Sequence, residues 1–286
     1  MDVISRIDTA YQTMSKGHKA IARYVFEHYD KAAFMNVSRL AEVTGVSEAT
    51  VVRFSTELGY EKYQQFQHAV WEYAKSRLTS LQRMDIGCER MERTDILNSV
   101  LNSDIDKIRS TLAAVDENEF NQVVETIARA RRIYIIGLRS AASLASFLGY
   151  YLNLIFDDVR VVNSVSASEI FEQFYRTGKQ DVVIGISFPR YSNRTVNALK
   201  YAKSKNSTVI GVTDGAMSPI NATADFCLHA RSDMESFVDS LVAPFSLMNA
   251  LIVALGARKK EQVYQNLENL ETIWKEYQVY DNADEE

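Results

Sequence analysis

The second half of the chain carries five short apolar runs, each separated from the next by a longer and more polar stretch. The runs lie at residues 133–136, 159–162, 182–186, 208–212 and 226–229. They do not alternate apolar and polar residues, which is typical of strands buried on both faces. Most stretches between them suit a helix of roughly 10–16 residues, and short hairpin turns are absent. The pattern predicts a three-layer α/β domain with a five-stranded parallel sheet and excludes a β-sandwich.

The first 77 residues contain no such runs. Their apolar residues recur at helical spacing, as at Ile4, Ile7 and Tyr11. Residues 79–94 are polar and show no sustained period, which indicates a connecting segment. We predict four parts, namely an all-helical domain at 1–77, a linker at 78–94, an α/β domain at 95–279 and an acidic tail at 280–286.

The composition of the 286 residues is that of an ordinary folded soluble protein, with 47% hydrophobic and 24% charged residues. Cys88 and Cys227 are too few for a disulfide framework and form no Cys-x-x-Cys pair. We therefore predict reduced thiols, no metal site and no cofactor. The longest apolar stretch, residues 241–257, is interrupted by Pro244 and is shorter than the ~20 residues of a membrane-spanning helix. We expect a cytoplasmic protein without a membrane span.

Residues 37–60 have the pattern of two helices joined by a tight turn. Gly45 breaks the first helix, and the Ser47 hydroxyl is placed to cap the second at the amide of Thr50. Gly59 is placed to end the second helix in a left-handed conformation. This arrangement suits a helix-turn-helix, whose second helix enters the major groove of DNA.

One face of the second helix carries Val51, Phe54 and Leu58 and is expected to be buried. The opposite face and the start of the first helix supply the candidate DNA contacts. These are Ser38, Ser47, Glu48, Ala49, Thr50 and Arg53. Thr50 suits a thymine methyl or a base edge, Arg53 a guanine or a phosphate, and Ser38 a phosphate oxygen. A plain helical hairpin has the same periodicity, so the pattern alone leaves both interpretations open.

The N-terminal 77 residues resemble the DNA-binding domain of the RpiR-type bacterial transcription regulators. The resemblance is carried by MSKGHKAIARYVFEH and by VSRLAEVTGVSEATVVRFSTELGYEKYQQFQ, with Ser-x-Ala-Thr-Val-Val-Arg-Phe followed by Leu-Gly-Tyr. It implies that the chain binds double-stranded operator DNA, which a helix-turn-helix dimer reads as a palindrome.

Hydroxyl and guanidinium side chains follow the first and third predicted strands. Parallel strands end at one edge of a sheet, and open α/β sheets bind ligands there. Backbone amides and hydroxyls at helix starts suit a phosphate, although plain helix capping gives the same pattern. The candidate ligand-binding residues are Gly137, Arg139, Ser140, Ser187, Arg190 and Ser192.

Residues of about 117–257 also resemble the SIS, or sugar isomerase, domain, and the helices around them look RpiR-like. Family members usually carry Gly-x-Gly-x-Ser in the first loop and Ser-x-Ser-Gly-x-Thr in the second. Here Arg139 stands at the second glycine and Ala141 at the serine, while Pro189 and Arg190 replace the second serine and the glycine. The hydroxyls that remain are those of Ser187 and Ser192. The resemblance implies a sugar-phosphate ligand, and an arginine pair suits a phosphate, a sugar acid or another carboxylate.

We therefore predict a non-enzymatic transcription regulator that senses a small anionic metabolite, a phosphorylated sugar or a sugar acid, and that forms a homodimer or homotetramer. One alternative is a sugar-phosphate isomerase with a helical extension, in which Glu169 or Glu235 is the general base. Another is an interaction module whose pocket is vestigial.

Overall fold

The computed structural model describes residues 2–75, 77–91, 95–164, 166–234 and 236–280. The chain divides into two compact units, Met1–Glu92 and Arg93–Glu286. Apart from Tyr280, the acidic tail predicted at 280–286 lies outside the described residues. No helix among the described residues has both the length and the apolarity to cross a membrane.

The first unit is all-helical, as the sequence predicts. Its helices are α1 Val3–Ala10, α2 Lys16–Glu27, α3 Tyr29–Ala32, α4 Val37–Thr44, α5 Glu48–Glu57, α6 Tyr63–Lys75 and α7 Ser80–Met91, with a 3₁₀ turn at Tyr11–Thr13. Phe54 of α5 and Phe66 of α6 are completely or almost completely buried and meet edge to face, with ring centroids 5.6 Å apart. This aromatic contact joins α5 to the rest of the core.

Helix α7 occupies most of the segment predicted as a linker at 78–94. The residues before it form a reciprocal cap, in which the Thr79 hydroxyl accepts from the Gln82 amide at 3.2 Å and Gln82 Oε1 accepts from the Thr79 amide at 2.9 Å. Arg83 is buried and donates to the Lys75 carbonyl at 2.9 Å. The helix therefore depends on a capping box and a buried arginine rather than on an apolar period, which is why the prediction of an irregular segment differs from the structure.

The second unit is the predicted α/β domain. Its elements are α8 Ile96–Ala114, α9 Glu117–Ala128, β1 Arg132–Gly137, α10 Ala141–Leu152, β2 Val159–Val162, α11 Ala167–Phe174, β3 Asp181–Ile186, α12 Asn193–Ser204, β4 Thr208–Thr213, β5 Phe226–His229, α13 Val242–Arg258 and α14 Lys260–Glu276. The five strands are all parallel, in the order β2-β1-β3-β4-β5. Strand β3 is buried along its whole length, as its unbroken apolar run predicts.

Helices cover both faces of this sheet. On one face α9, α10 and α13 pack over the strands through side chains such as Leu148 and Leu251. On the other face α11 and α12 do so through side chains such as Phe174 and Leu199. The predicted three-layer architecture is confirmed, and β1 and β3 are neighbours whose carboxyl ends lie at one edge.

Helix α10 is apolar on most sides, so it needs neighbours on more than the face that packs on the sheet. Helix α13 of the same chain packs beside it, and Phe147 meets Phe245 with ring centroids 5.2 Å apart. Tyr150 and Tyr151 are the large hydrophobic side chains of α10 that remain exposed. The apolar character of α10 is therefore largely explained within one chain.

Candidate functional sites

The turn between α4 and α5 is fixed by a glycine in the left-handed conformation. Gly45 has a φ of 67°. Its amide donates to the Glu42 carbonyl at 3.3 Å, and the Val46 amide donates to the Ala41 carbonyl at 3.0 Å. These two bonds are a Schellman motif, which ends α4 and turns the chain into α5.

The start of α5 is capped as the sequence predicts. The Ser47 hydroxyl accepts from the Thr50 amide at 3.3 Å, and the two hydroxyls lie 2.8 Å apart. Gly17 of α2 lies against this first turn, because a β-carbon built on it would stand 3.3 Å from the Thr50 methyl and 3.6 Å from Val46. The small size of Gly17 thus lets α2 approach the first turn of α5.

The C-terminal end of α5 is also held in place. The Gly59 amide donates to the Thr56 carbonyl at 2.9 Å, and Gly59 has a φ of 86°, which confirms the predicted left-handed end. The Glu57 carboxylate lies 2.6 Å from Nδ1 of the buried His18, whose ring meets Phe54 edge to face. Helix α5 is therefore anchored at both ends to α2.

The two faces of α5 differ as expected. Val51 and Phe54 are fully buried, and Leu58 is 6% exposed. The predicted DNA contacts lie on the other side or at the helix starts. Ser38, Ser47, Glu48, Ala49 and Arg53 are exposed, and Thr50 is half-buried. Ser38 lies in the first turn of α4. The side chain of Arg53 runs back along α5, where its Nε donates to the Ala49 carbonyl at 3.3 Å.

The first loop of the second unit follows β1. A β-carbon on Gly137 would stand 2.4 Å from the Ala141 carbonyl oxygen, so only glycine fits between the strand end and α10. Arg139 has a φ of 59°, and its side chain is exposed. Ser140 is also exposed and occupies the N-cap position of α10, but its hydroxyl makes no capping bond.

The second loop follows β3 and is held by its own hydroxyls. The oxygen of the buried Ser187 accepts from the Ser192 amide at 3.0 Å, and the Ser192 hydroxyl accepts from the Thr195 amide at 3.3 Å. Arg190, between the two serines, has a φ of 61° and is exposed. Both arginines that stand at glycine positions of the family pattern thus keep the left-handed backbone that glycine favours.

Three further polar side chains at this edge are absent from the sequence-based set. The Thr195 hydroxyl is fully buried and finds no hydrogen-bond partner among the described residues. Asp214, after β4, is buried and accepts from the Tyr191 hydroxyl at 2.8 Å. An acid directly after a buried strand is the signal that points to Asp214, whereas nothing in the sequence predicts its bond to Tyr191.

No described contact brings the carboxylates considered for isomerase chemistry to the carboxyl edge of the sheet. Glu169 lies in the first turn of α11 and accepts a hydrogen bond from the Ser164 hydroxyl. Glu235 lies outside the described residues. His229, in β5, bonds through Nε2 to the Asn221 side chain at 3.0 Å. These contacts are structural in kind.

Comparison with known families matches both units. The family described as the helix-turn-helix domain of the rpiR family matches residues 1–76, and the SIS domain matches residues 126–254. Together the two matches cover most of the chain, in the order of the two units.

Two proteins with similar sequences are both described as HTH-type transcriptional regulators. An uncharacterised HTH-type transcriptional regulator of Haemophilus influenzae is 28% identical over 241 residues, which is 79% of each chain. Another, from Caldanaerobacter subterraneus subsp. tengcongensis, is 23% identical over 279 residues, 95% of this chain and 96% of its own.

Two solved structures share the fold. The sugar isomerase domain of an RpiR transcription factor from Sphaerobacter thermophilus is 26% identical, with a TM-score of 0.60, and covers 63% of this chain and 99% of its own. The NanR protein of Vibrio vulnificus, complexed with ManNAc-6P, is 20% identical, with a TM-score of 0.60 over 98% of this chain and 100% of its own. The chain belongs to the RpiR family of helix-turn-helix transcription regulators and carries a SIS domain as its second unit.

Proposed function

We propose that this regulator reads its operator with the exposed face of α5 and senses a small anionic metabolite at the carboxyl edge of the sheet. The effector is a phosphorylated sugar or a sugar acid. It binds without turnover and shifts the population between forms that bind and do not bind DNA. The protein acts in the cytoplasm as a homo-oligomer.

The observation that carries the effector proposal is the pair of left-handed arginines. Arg139 and Arg190 follow neighbouring parallel strands and lie in loops that open helices, so both residues follow the same edge of the sheet. The buried Thr195 hydroxyl, which has no described partner, adds a donor to the second loop. The Vibrio protein with the same fold is complexed with a phosphorylated sugar, and this supports the same ligand class here.

The effector site is tested by thermal shift of the full chain against phosphorylated sugars, sugar acids and polyols, followed by calorimetry with the best ligand. Arg139→Ala and Arg190→Ala are each expected to weaken binding by about tenfold or more, because each removes a charge-assisted hydrogen bond. Arg176→Ala is the matched control, an exposed arginine stacked on Tyr175 of α11's C-terminal end. Wild-type affinity in both loop variants would show that the site lies elsewhere, and no stabilisation by any ligand class would favour a vestigial pocket.

The reading face is tested with the DNA that the wild-type chain enriches from a random library. Arg53→Ala is expected to weaken that complex by about 1–3 kcal/mol if Arg53 reads a base, and to weaken all sequences alike if it contacts a phosphate. Arg77→Ala is a matched control, because Arg77 is also exposed and also donates to the carbonyl four residues earlier, at 3.0 Å. Unchanged binding of Arg53→Ala to enriched and random DNA contradicts the proposal.

A further inference from the structure

Helix α8, the first helix of the second unit, attaches to its own chain through polar side chains. Thr111 is 6% exposed and its hydroxyl accepts from the Arg231 amide at 2.9 Å. Asp104 accepts from the Ser240 hydroxyl at 2.6 Å. Lys107 is buried beside Asp104. The polar side of this helix is therefore the side that it buries.

The apolar side of α8 faces outward. Five large aliphatic side chains are exposed there, namely Leu97 at 66%, Leu101 at 52%, Ile105 at 45%, Ile108 at 38% and Leu112 at 78%. Successive helical residues are about 100° apart, which places all five within an arc of about 80°. We call these five residues the α8 stripe. A continuous apolar stripe of this kind marks an interaction surface.

A groove runs beside the C-terminal half of the stripe, between α8 and α13. It has a volume of about 260 Å³ and nearly all of its wall is apolar. The side chains that form it include Ile108, Leu112, Val115, Phe120, Ala243 and Leu247. The same surface thus carries both protruding leucines and a hollow of a size that receives them.

We propose that the α8 stripe binds the α8 stripe of a second copy of this chain, with the two helices antiparallel. The spacing of the stripe is almost the same in both directions. An antiparallel pair centred between residues 104 and 105 sets Leu97 against Leu112 and Leu101 against Ile108, and it brings the two Ile105 side chains together at the two-fold axis. Such a self-complementary patch is what a two-fold interface requires.

The stripe can supply the area of a specific interface. Its exposed fractions add up to almost three fully exposed side chains, at up to about 120 Å² of apolar surface each. If all of it is covered, two copies bury about 700 Å² of apolar surface through the stripes alone. Apolar atoms make up about 60% of an interface, so the total reaches about 1,200 Å², the lower bound for specific complexes.

The α8 stripe would thus be the subunit interface of the homo-oligomer in the proposed function. Its test involves neither DNA nor effector. Sedimentation of the full chain at micromolar concentration is compared for Ile105→Asp and Ile273→Asp. The two isoleucines are matched, at 45% and 48% exposed on α8 and α14. A buried unpaired carboxylate at the two-fold axis is expected to weaken dimerisation about 100-fold or more. Ile273→Asp is expected to remain a dimer.

Cross-linking tests the orientation in a chain whose Cys88 and Cys227 are replaced by serine. Ile105→Cys is expected to form a disulfide-linked dimer under mild oxidation, because the two copies of residue 105 meet at the axis. Leu112→Cys alone is expected not to do so, because its symmetry mate faces the other end of the pair. A monomeric wild type, an Ile105→Asp variant as dimeric as wild type, or efficient linking through Leu112→Cys overturns the proposal. Circular dichroism of each variant confirms that it is folded.

Discussion

Arg139 and Arg190 hold a backbone conformation that most side chains avoid, with φ values of 59° and 61°. A non-glycine residue in this region costs on the order of 1–3 kcal/mol and persists only where the surrounding structure imposes the conformation. The conformation is therefore set by the strand ends and the helix starts around the two loops.

Two substitutions of Arg139 that both remove its charge test the effect of its backbone conformation on stability. Arg139→Gly relieves the left-handed strain but raises the entropy of the unfolded chain, so the free energy of unfolding is expected to change by less than about 1 kcal/mol. Arg139→Val, whose branched β-carbon tolerates this φ poorly, is expected to lose about 1–3 kcal/mol. Urea unfolding measures both values. Equal stability of the two variants would mean that the turn does not need the left-handed backbone.

The phenol of Tyr63 links stability to alkaline pH. It is 6% exposed, it donates to the Met35 carbonyl at 2.6 Å, and burial raises its pKa to about 12. In the unfolded chain this phenol ionises near pH 10. Its contribution to the free energy of unfolding is therefore fully present below pH 10 and is lost as the pH rises towards 12.

Tyr63→Phe tests this link. At pH 8 the variant is expected to be about 1 kcal/mol less stable, because it lacks the hydrogen bond to Met35. At pH 11 the wild type loses about 1 kcal/mol through this phenol and the variant does not, so the two stabilities converge. Urea unfolding at both pH values, with Tyr11→Phe as a half-buried control, checks the result. A difference that stays constant with pH contradicts it.

At the scale of elements, two glycines of the first unit are needed for different reasons, Gly45 for its backbone conformation and Gly17 for its small size. No atom of the described residues lies within 4 Å of a β-carbon built on Gly45, whose φ is 67°. Gly45→Ala is therefore expected to cost about 1 kcal/mol through backbone strain alone. Gly17→Ala gains up to about 1 kcal/mol in helix propensity but presses on the Thr50 methyl at 3.3 Å. It is expected to keep its stability and to bind the enriched DNA more weakly.

Both variants are compared by thermal unfolding and by DNA titration. Gly17→Ser is a second substitution at the same contact and is expected to follow Gly17→Ala in the titration. If Gly17→Ala binds DNA as the wild type does, the position of Thr50 does not matter for reading. If Gly45→Ala is as stable as the wild type, the turn has relaxed to another form.

The elements that the sequence predicts well are those with a strong local pattern, either an unbroken apolar run or a turn or capping residue at a fixed place. The five parallel strands, the α4–α5 turn at Gly45, the Ser47 cap and the left-handed end of α5 at Gly59 are confirmed. The sequence predicts less well the elements whose secondary structure or buried face depends on contacts with other parts of the chain. The capping box at Thr79 and Gln82 starts α7 without an apolar period, and the buried polar side of α8 reverses the usual rule that apolar faces turn inward.

At the proposed effector site, the sequence predicts which residues follow the strands but not the hydrogen bonds between them. Arg139, Ser187 and Ser192 follow from their places after strands. The bond between Tyr191 and Asp214 joins residues 23 positions apart, and no periodicity encodes it. The left-handed φ of the arginines has no signal in the residues themselves, because glycine is the residue that normally marks such a turn. Only the glycines of the family pattern at these two positions point to it.

At the scale of the whole molecule, the chain has two units with separate cores. Calorimetry of the full chain is therefore expected to show two transitions. An effector at 100 times its dissociation constant stabilises only the second unit, by about 2.7 kcal/mol. Phe54→Ala, which removes a fully buried ring of the first unit, is expected to lower only the other transition. A single transition that responds to both changes would show that the units unfold together.

Two hydrogen bonds within the loop after β3 join the Ser192 amide to the Ser187 hydroxyl and the Thr195 amide to the Ser192 hydroxyl. Because these bonds form within the loop, part of the conformational entropy of this segment is lost when the second unit folds. An effector that binds at this edge, as proposed above, would then lose less affinity to the ordering of the loop than it would on a flexible segment. Differences in affinity between metabolites would therefore come mainly from their charge and shape.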